Sequence, residues 1–147
     1  MKIFAASDHA GFALREALVS HLRQAGHAVD DLGPPRPERC DYPDYAAKVA
    51  RRVAAGSGLG LLVCGTGVGM SMAANKVAGV RAAVVSDVFS ADATRAHNNA
   101  NVICLGQRVV GVGLAIAIVD AFLDADFEGG RHAARVAKIH GLETPAG

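Results

Sequence analysis

The 147 residues carry 15 Lys plus Arg against 14 Asp plus Glu, a net charge of +1, so no overall field draws the chain onto nucleic acid or an anionic membrane. With 51% hydrophobic and 20% charged residues, the composition excludes disorder and fibrous repeats, and the length fits one domain over 1–147. The apolar stretch Val109 to Val119 is too short for a bilayer, and a charge at Asp8 comes too early for a signal peptide, so a soluble cytoplasmic protein is expected.

In chain order, Ile3 to Ala6 reads as a strand buried on both faces. Leu14, Leu18 and Leu22 then recur at helical spacing, with Gly26 as the stop. A second strand is expected over His27 to Leu32, and the stiff loop Gly33-Pro34-Pro35-Arg36-Pro37 follows it. Tyr42 to Ala55 is helical by the spacing of Tyr45, Val49 and Val53. Strands over Leu59 to Cys64, Ala82 to Ser86 and Val102 to Leu105 alternate with shorter helices over Gly69 to Val77 and Ser90 to His97. Val109 to Leu123 is apolar nearly all round, which predicts a helix partly covered by a second subunit. A last helix, at about 129–141, sets Arg131, Arg135 and Lys138 on one face and His132, Val136 and Ile139 on another.

Alternation of strand and helix predicts a doubly wound fold: an α/β/α sandwich of three layers around a Rossmann-like sheet of five parallel strands. Ligands of such folds sit beyond the carboxyl ends of the strands. Cys40, Cys64 and Cys104 are odd in number, with no C-x-x-C pair and no histidine at zinc spacing. Free thiols in a reducing compartment are expected, with no structural metal.

The segment Cys64-Gly65-Thr66-Gly67-Val68-Gly69-Met70 puts a thiol at a strand end, then a glycine-rich turn, then a helix start. Converging N–H groups and the positive end of a helix make an anion hole, beside which a thiol shifts toward thiolate. The same turn also occurs for packing alone, and free cysteine is often a small buried hydrophobe, the reading that suits Cys40 and Cys104. Asp87 stands where a ribose-binding acid would, but the third glycine of a dinucleotide fingerprint falls on Met70 or Met72, so that motif fails. Ser7 or Asp8 caps the helix that follows them. His97-Asn98-Asn99-Ala100-Asn101 suggests hydrogen bonding to a polyhydroxylated ligand, with Arg108 just beyond, and Arg131 with Arg135 one turn on can grip a phosphate.

These blocks, running from Ser7-Asp8-His9 through Asp41-Tyr42-Pro43 to Gly130-Arg131-His132, resemble the type B ribose-5-phosphate isomerase family, which includes galactose-6-phosphate isomerase subunits. The resemblance implies interconversion of an aldose phosphate and a ketose phosphate through an enediolate. It also implies no metal or cofactor, and homodimers with shared active sites, with pairing into tetramers left open. Carried over by position, Cys64 resembles the base between C1 and C2, aided by Thr66, and Gly65, Gly67 and Gly69 belong to the loop that holds the enediolate. His97, with Asp8 as partner, resembles the ring-opening residue, Asn98 the holder of sugar hydroxyls, and Tyr42 a residue lining the sugar pocket. His9 and Arg108 of one subunit with Arg131 and Arg135 of the other match the phosphate clamp. Met70 stands where a thiol-free branch of the family has glutamate, and Asn99 replaces an aspartate found in many members. Ribose 5-phosphate is the expected substrate, with a tetrose or hexose phosphate as the alternative. A non-catalytic sugar-phosphate sensor would have no use for Cys64, Asp8 and His97 together.

Overall fold

The computed structural model describes residues 1–143, so the predicted domain over 1–147 is described except for its last four positions. Apolar side chains alternate along the central strands because each strand has a helix layer on both sides. Ile3 and Ala5 of β1 (Lys2–Ser7), Leu61 and Val63 of β3 (Leu59–Cys64), and Ile103 and Leu105 of β5 (Val102–Gly106) face one core. Phe4, Ala6, Leu62, Cys64, Val102 and Cys104 face the other.

The first core is closed by α1 (Phe12–Gln24), α4 (Val88–Asn98) and α5 (Val112–Asp124), through Leu18, Leu22, Ala91, Ile118 and Phe122. The second is closed by α2 (Tyr42–Ala54) and α3 (Val68–Ala74), through Val49, Val53 and Met70. All neighbouring strands pair in parallel, in the order β2-β1-β3-β5-β4. The three-layer sandwich and its five-stranded sheet are therefore as the alternation predicts.

The two outer strands differ from expectation. Strands β2 (Ala28–Asp31) and β4 (Ala82–Val84) are shorter than His27 to Leu32 and Ala82 to Ser86, and they are half-open rather than buried on both faces. Both lie at sheet edges, where one neighbour is missing and pairing ends early. Helix α6 (Arg131–Gly141) packs on α4, with His132 and Val136 buried and Arg131, Arg135 and Lys138 outside. Helix α5 buries one side in the first core, while Val109, just before it, and Val112 and Leu114 at its start remain exposed.

Strand order sets where a ligand can enter. Strands β1 and β3 are neighbours, yet β1 leads into α1 on one face and β3 into α3 on the other. The chain departs in opposite directions from their carboxyl ends and leaves a crevice between, the switch point at which open parallel sheets bind ligands. Buried Arg15 braces this edge. Its guanidinium donates to Ser7 Oγ at 2.9 Å and to the Pro34 carbonyl at 3.0 Å, and its Nε lies 3.3 Å from Asp31 Oδ1 without hydrogen-bond alignment.

Candidate functional site

At the switch point, Asp8 follows β1 and Cys64 ends β3. The Asp8 carboxylate accepts from the Ala10 and Gly11 amides at 2.9 and 3.1 Å, capping the 3-10 turn His9–Gly11, so the capping reading of this residue holds. Gly11 packs directly on β3: a methyl there would lie 2.5 Å from the Val63 carbonyl carbon and 2.8 Å from the Cys64 nitrogen. The two strand ends are thereby drawn together. His9 Nδ1 accepts from the Cys40 amide at 3.3 Å, which ties the loop before α2 to the same edge.

Cys64 is 5% exposed, and its Sγ accepts the Gly67 N–H at 3.0 Å. Gly67 makes that approach in a left-handed conformation, φ 82°, against the Leu105 backbone. Thr66 Oγ1 accepts from the Val68 amide at 3.3 Å, and no backbone acceptor is paired with the Gly65 or Thr66 amide among the described residues. Gly65 and Gly69 leave room for two larger side chains. A methyl on Gly65 would meet Arg108 Nη1 at 3.4 Å, and one on Gly69 would meet the Tyr42 ring at 2.8 Å. The crevice thus gathers Asp8, His9, Tyr42, Cys64, the loop 65–69 and Arg108.

A methyl at Gly67 would be forced into the left-handed region and to 3.0 Å from the Leu105 carbonyl carbon. Gly67→Ala is expected to destabilise the fold by about 1–3 kcal/mol and to disturb the sulfur contact. Thermal denaturation should show a lower Tm.

The second group of expected residues lies elsewhere. Helix α4 runs antiparallel to the strands, so its last turn, with His97 and Asn98, lies at the amino edge of the sheet beside the start of β5. Arg131 and Arg135 begin α6 at that same edge, where the Glu128 amide donates to the Ala96 carbonyl at 3.0 Å. At about 3.3 Å per residue, β3 separates the two edges by something on the order of 17 Å. Within one chain His97 is therefore not beside Asp8, nor Arg135 beside Arg108.

Several roles left open by the sequence are settled locally. Asp87 caps α4, accepting from the Ser90 amide at 2.7 Å, a hydrogen bond that lowers its pKa; it is a helix cap rather than a ribose ligand. Asn99 closes α4 at φ 48°, and its Oδ1 accepts from Arg95 at 2.7 Å, so this residue braces the helix end. Cys104 is fully buried, and that burial, with Cys64 as a lesser contribution, pushes its thiol far above the ordinary range. Cys104 is accordingly a packing residue.

Three further residues matter that the sequence did not single out. The Gln107 carboxamide accepts the Leu14 amide at 3.0 Å and so fixes the loop that carries Arg108. Arg15 braces the edge as described. Glu128 links His97 and His132, whose rings stack with centroids 4.5 Å apart. A Glu and a His four residues apart was the available signal for the last.

A doubly wound fold with a thiol in a glycine-rich loop at its switch point belongs to the class of α/β proteins whose small-molecule sites lie beyond the carboxyl ends of the strands. Residues 3–139 match the family model described as Ribose/Galactose Isomerase, and the chain belongs to that family. Ribose-5-phosphate isomerase B of Escherichia coli strain K12 is 52% identical over 97% of this chain and 96% of its own length. A solved ribose-5-phosphate isomerase B from Clostridium thermocellum superposes with a TM-score of 0.96 at 49% identity, covering 97% of each chain. The enzyme of that name from Mycoplasma genitalium, solved with bound ribulose-5-phosphate, gives 0.94 at 48% identity, over 99% of this chain and 97% of its own.

Proposed function

We propose that the protein interconverts ribose 5-phosphate and ribulose 5-phosphate, with Cys64 carrying the proton. The Cys64 sulfur, held by the Gly67 amide in the crevice between β1 and β3, carries this reading. Family membership and the relative solved with ribulose-5-phosphate support the substrate.

The furanose must open first. His97 and Asp8 exchange the proton between the ring oxygen and the anomeric hydroxyl, which exposes the C1 aldehyde. The Cys64 thiolate then takes the C2 proton, and the electron pair moves into the C1–C2 bond while charge gathers on O1. The Gly65 and Thr66 amides, unpaired with backbone, meet that charge together with the Gly69 amide. Return of the proton from sulfur to C1, with transfer of the O2 proton to O1, completes the ketose. Thr66 positions the thiol or a hydroxyl, Gly67 holds the sulfur, Tyr42 walls the sugar and Asn98 holds its hydroxyls.

His97 and Asp8 occupy opposite edges of one chain, so the reading requires a second copy. In a homodimer the amino edge of one subunit meets the carboxyl edge of the other, and each site takes Asp8, His9, Cys64 and Arg108 from one chain and His97, Asn98, Arg131 and Arg135 from its partner. Helix α6 is then the element that reaches the partner subunit. Exposed apolar residues support such a contact: Phe89 is 80% exposed, with Val88, Val109 and Val112 also open. A cytosolic setting suits a free reactive thiol, and no helix among the described residues is long and apolar enough to cross a membrane.

The decisive assay is conversion of ribose 5-phosphate to ribulose 5-phosphate by purified protein with a chelator present. Conversion of erythrose, allose or galactose phosphates with higher kcat/KM would reassign the substrate, and tight binding without conversion of any would leave only a sensor. In the same assay, Arg135→Ala is expected to raise KM about tenfold or more while changing kcat little, because the phosphate is gripped equally before and during proton transfer.

A further inference from the structure

We infer that His97, His132 and Glu128 form a binding site for a zinc-type divalent transition-metal ion, and that filling this site blocks isomerisation. The second part rests on the reading of His97 as the ring-opening residue. One ligand atom from each of the three side chains lies within 4.8 Å of the others. Glu128 spans the two imidazoles, with Oε1 3.8 Å from His97 Nε2 and Oε2 3.4 Å from His132 Nε2.

The independent observation is His132 itself. It is 7% exposed, and its Nε2 is buried with no hydrogen-bond partner while facing the Glu128 carboxylate. A buried imidazole nitrogen without a partner is an uncompensated polar atom, and a metal ion would satisfy it. Gly129 and Gly130, both at positive φ (66° and 52°), fold Glu128 back over the first turn of α6. That turn is what sets the carboxylate against His132.

Two imidazoles and one carboxylate with a position left open match the ligand set of open zinc sites rather than the all-oxygen shells of magnesium or calcium. Tetrahedral bonds of about 2.0–2.1 Å bring ligand atoms to about 3.4 Å from one another, so the cluster must close by roughly an ångström. His132 is fixed by burial, whereas Glu128 and His97 are part-exposed in the single chain, and the His97 ring must turn out of its stack on His132, where the planes lie 11° apart, for both Nε2 lone pairs to meet at one ion. Once its Nε2 lone pair is taken by the metal, that nitrogen can neither accept nor return the ring-opening proton, and the imidazole keeps only its Nδ1–H.

The test titrates metal-free wild-type protein with zinc against a chromophoric chelator and follows isomerase activity in parallel. One ion per chain is expected, with activity lost as it binds and restored by EDTA. Glu128→Gln should fold normally and weaken zinc binding at least tenfold, and whatever activity it shows without metal should resist zinc inhibition to the same degree. His132→Asn, checked for folding by circular dichroism, should weaken binding likewise. Absence of binding at micromolar zinc overturns the proposal, as does binding that is equal in both variants, which would place the ion elsewhere, for instance on a thiol. Binding that behaves as stated in a protein with no isomerase activity would keep the site and overturn the functional reading instead.

Discussion

Cys64→Ala is expected to lower kcat for ribose 5-phosphate by about a thousandfold, within the range that a positioned acid or base contributes, while the dissociation constant for the sugar phosphate changes little. The binding groups proposed here, Arg108, Tyr42 and the partner's arginines, are untouched by loss of one sulfur atom. Because Cys64 is buried at the end of β3 and contacts Gly67, the substitution also removes packing, of the order of 1 kcal/mol, far too little to unfold a domain. Steady-state turnover with calorimetric titration of substrate separates the two effects. Normal turnover in the variant would remove Cys64 from the chemistry and with it the proposed mechanism. Cys104→Ala is the matched control: that thiol is fully buried in the same core, faces no crevice, and its loss should lower Tm while leaving kcat in place.

The sequence displays the fold well where period and burial coincide. Strands β1, β3 and β5 read as unbroken apolar runs because both faces are covered, and Leu14, Leu18 and Leu22 mark α1 because only one of its faces is. It is least legible at the edges, where β2 and β4 end early for lack of a neighbour. Cys64 and its glycines were legible as a site because glycine spacing is local. Arg15 to Pro34, Gln107 to Leu14 and Glu128 to His97 join residues that are neighbours only after folding, and apart from the spacing of Glu128 and His132 nothing in their local sequence marks them. His97 shows the subtler loss: its polar cluster is visible in the sequence, but which end of the sheet it occupies follows only once α4 is laid antiparallel to the strands.

That placement yields a second large effect. Cys64→Ala and His97→Asn should each be nearly inactive alone, the histidine variant by about a hundredfold or more, since each removes a proton-transfer group of the proposed mechanism. If every site takes Cys64 from one subunit and His97 from the other, exchange of subunits between the two variants must rebuild intact sites. In a 1:1 mixture half of the dimers are mixed, and each mixed dimer has one site with both residues and one with neither, so about a quarter of wild-type activity should return. Activity would be recorded before and after a mild dissociation and reassociation step, with the recovered fraction following the mixing ratio. A pair of residues acting within one chain gives no recovery at any ratio, because every chain lacks one of them. Sedimentation of the mixed sample as dimers without recovered activity would therefore overturn the shared site while leaving the dimer intact. The roughly 17 Å of sheet between the two edges makes recovery the expected result, since no rotamer change within one subunit can carry His97 across that distance to the Asp8 carboxylate.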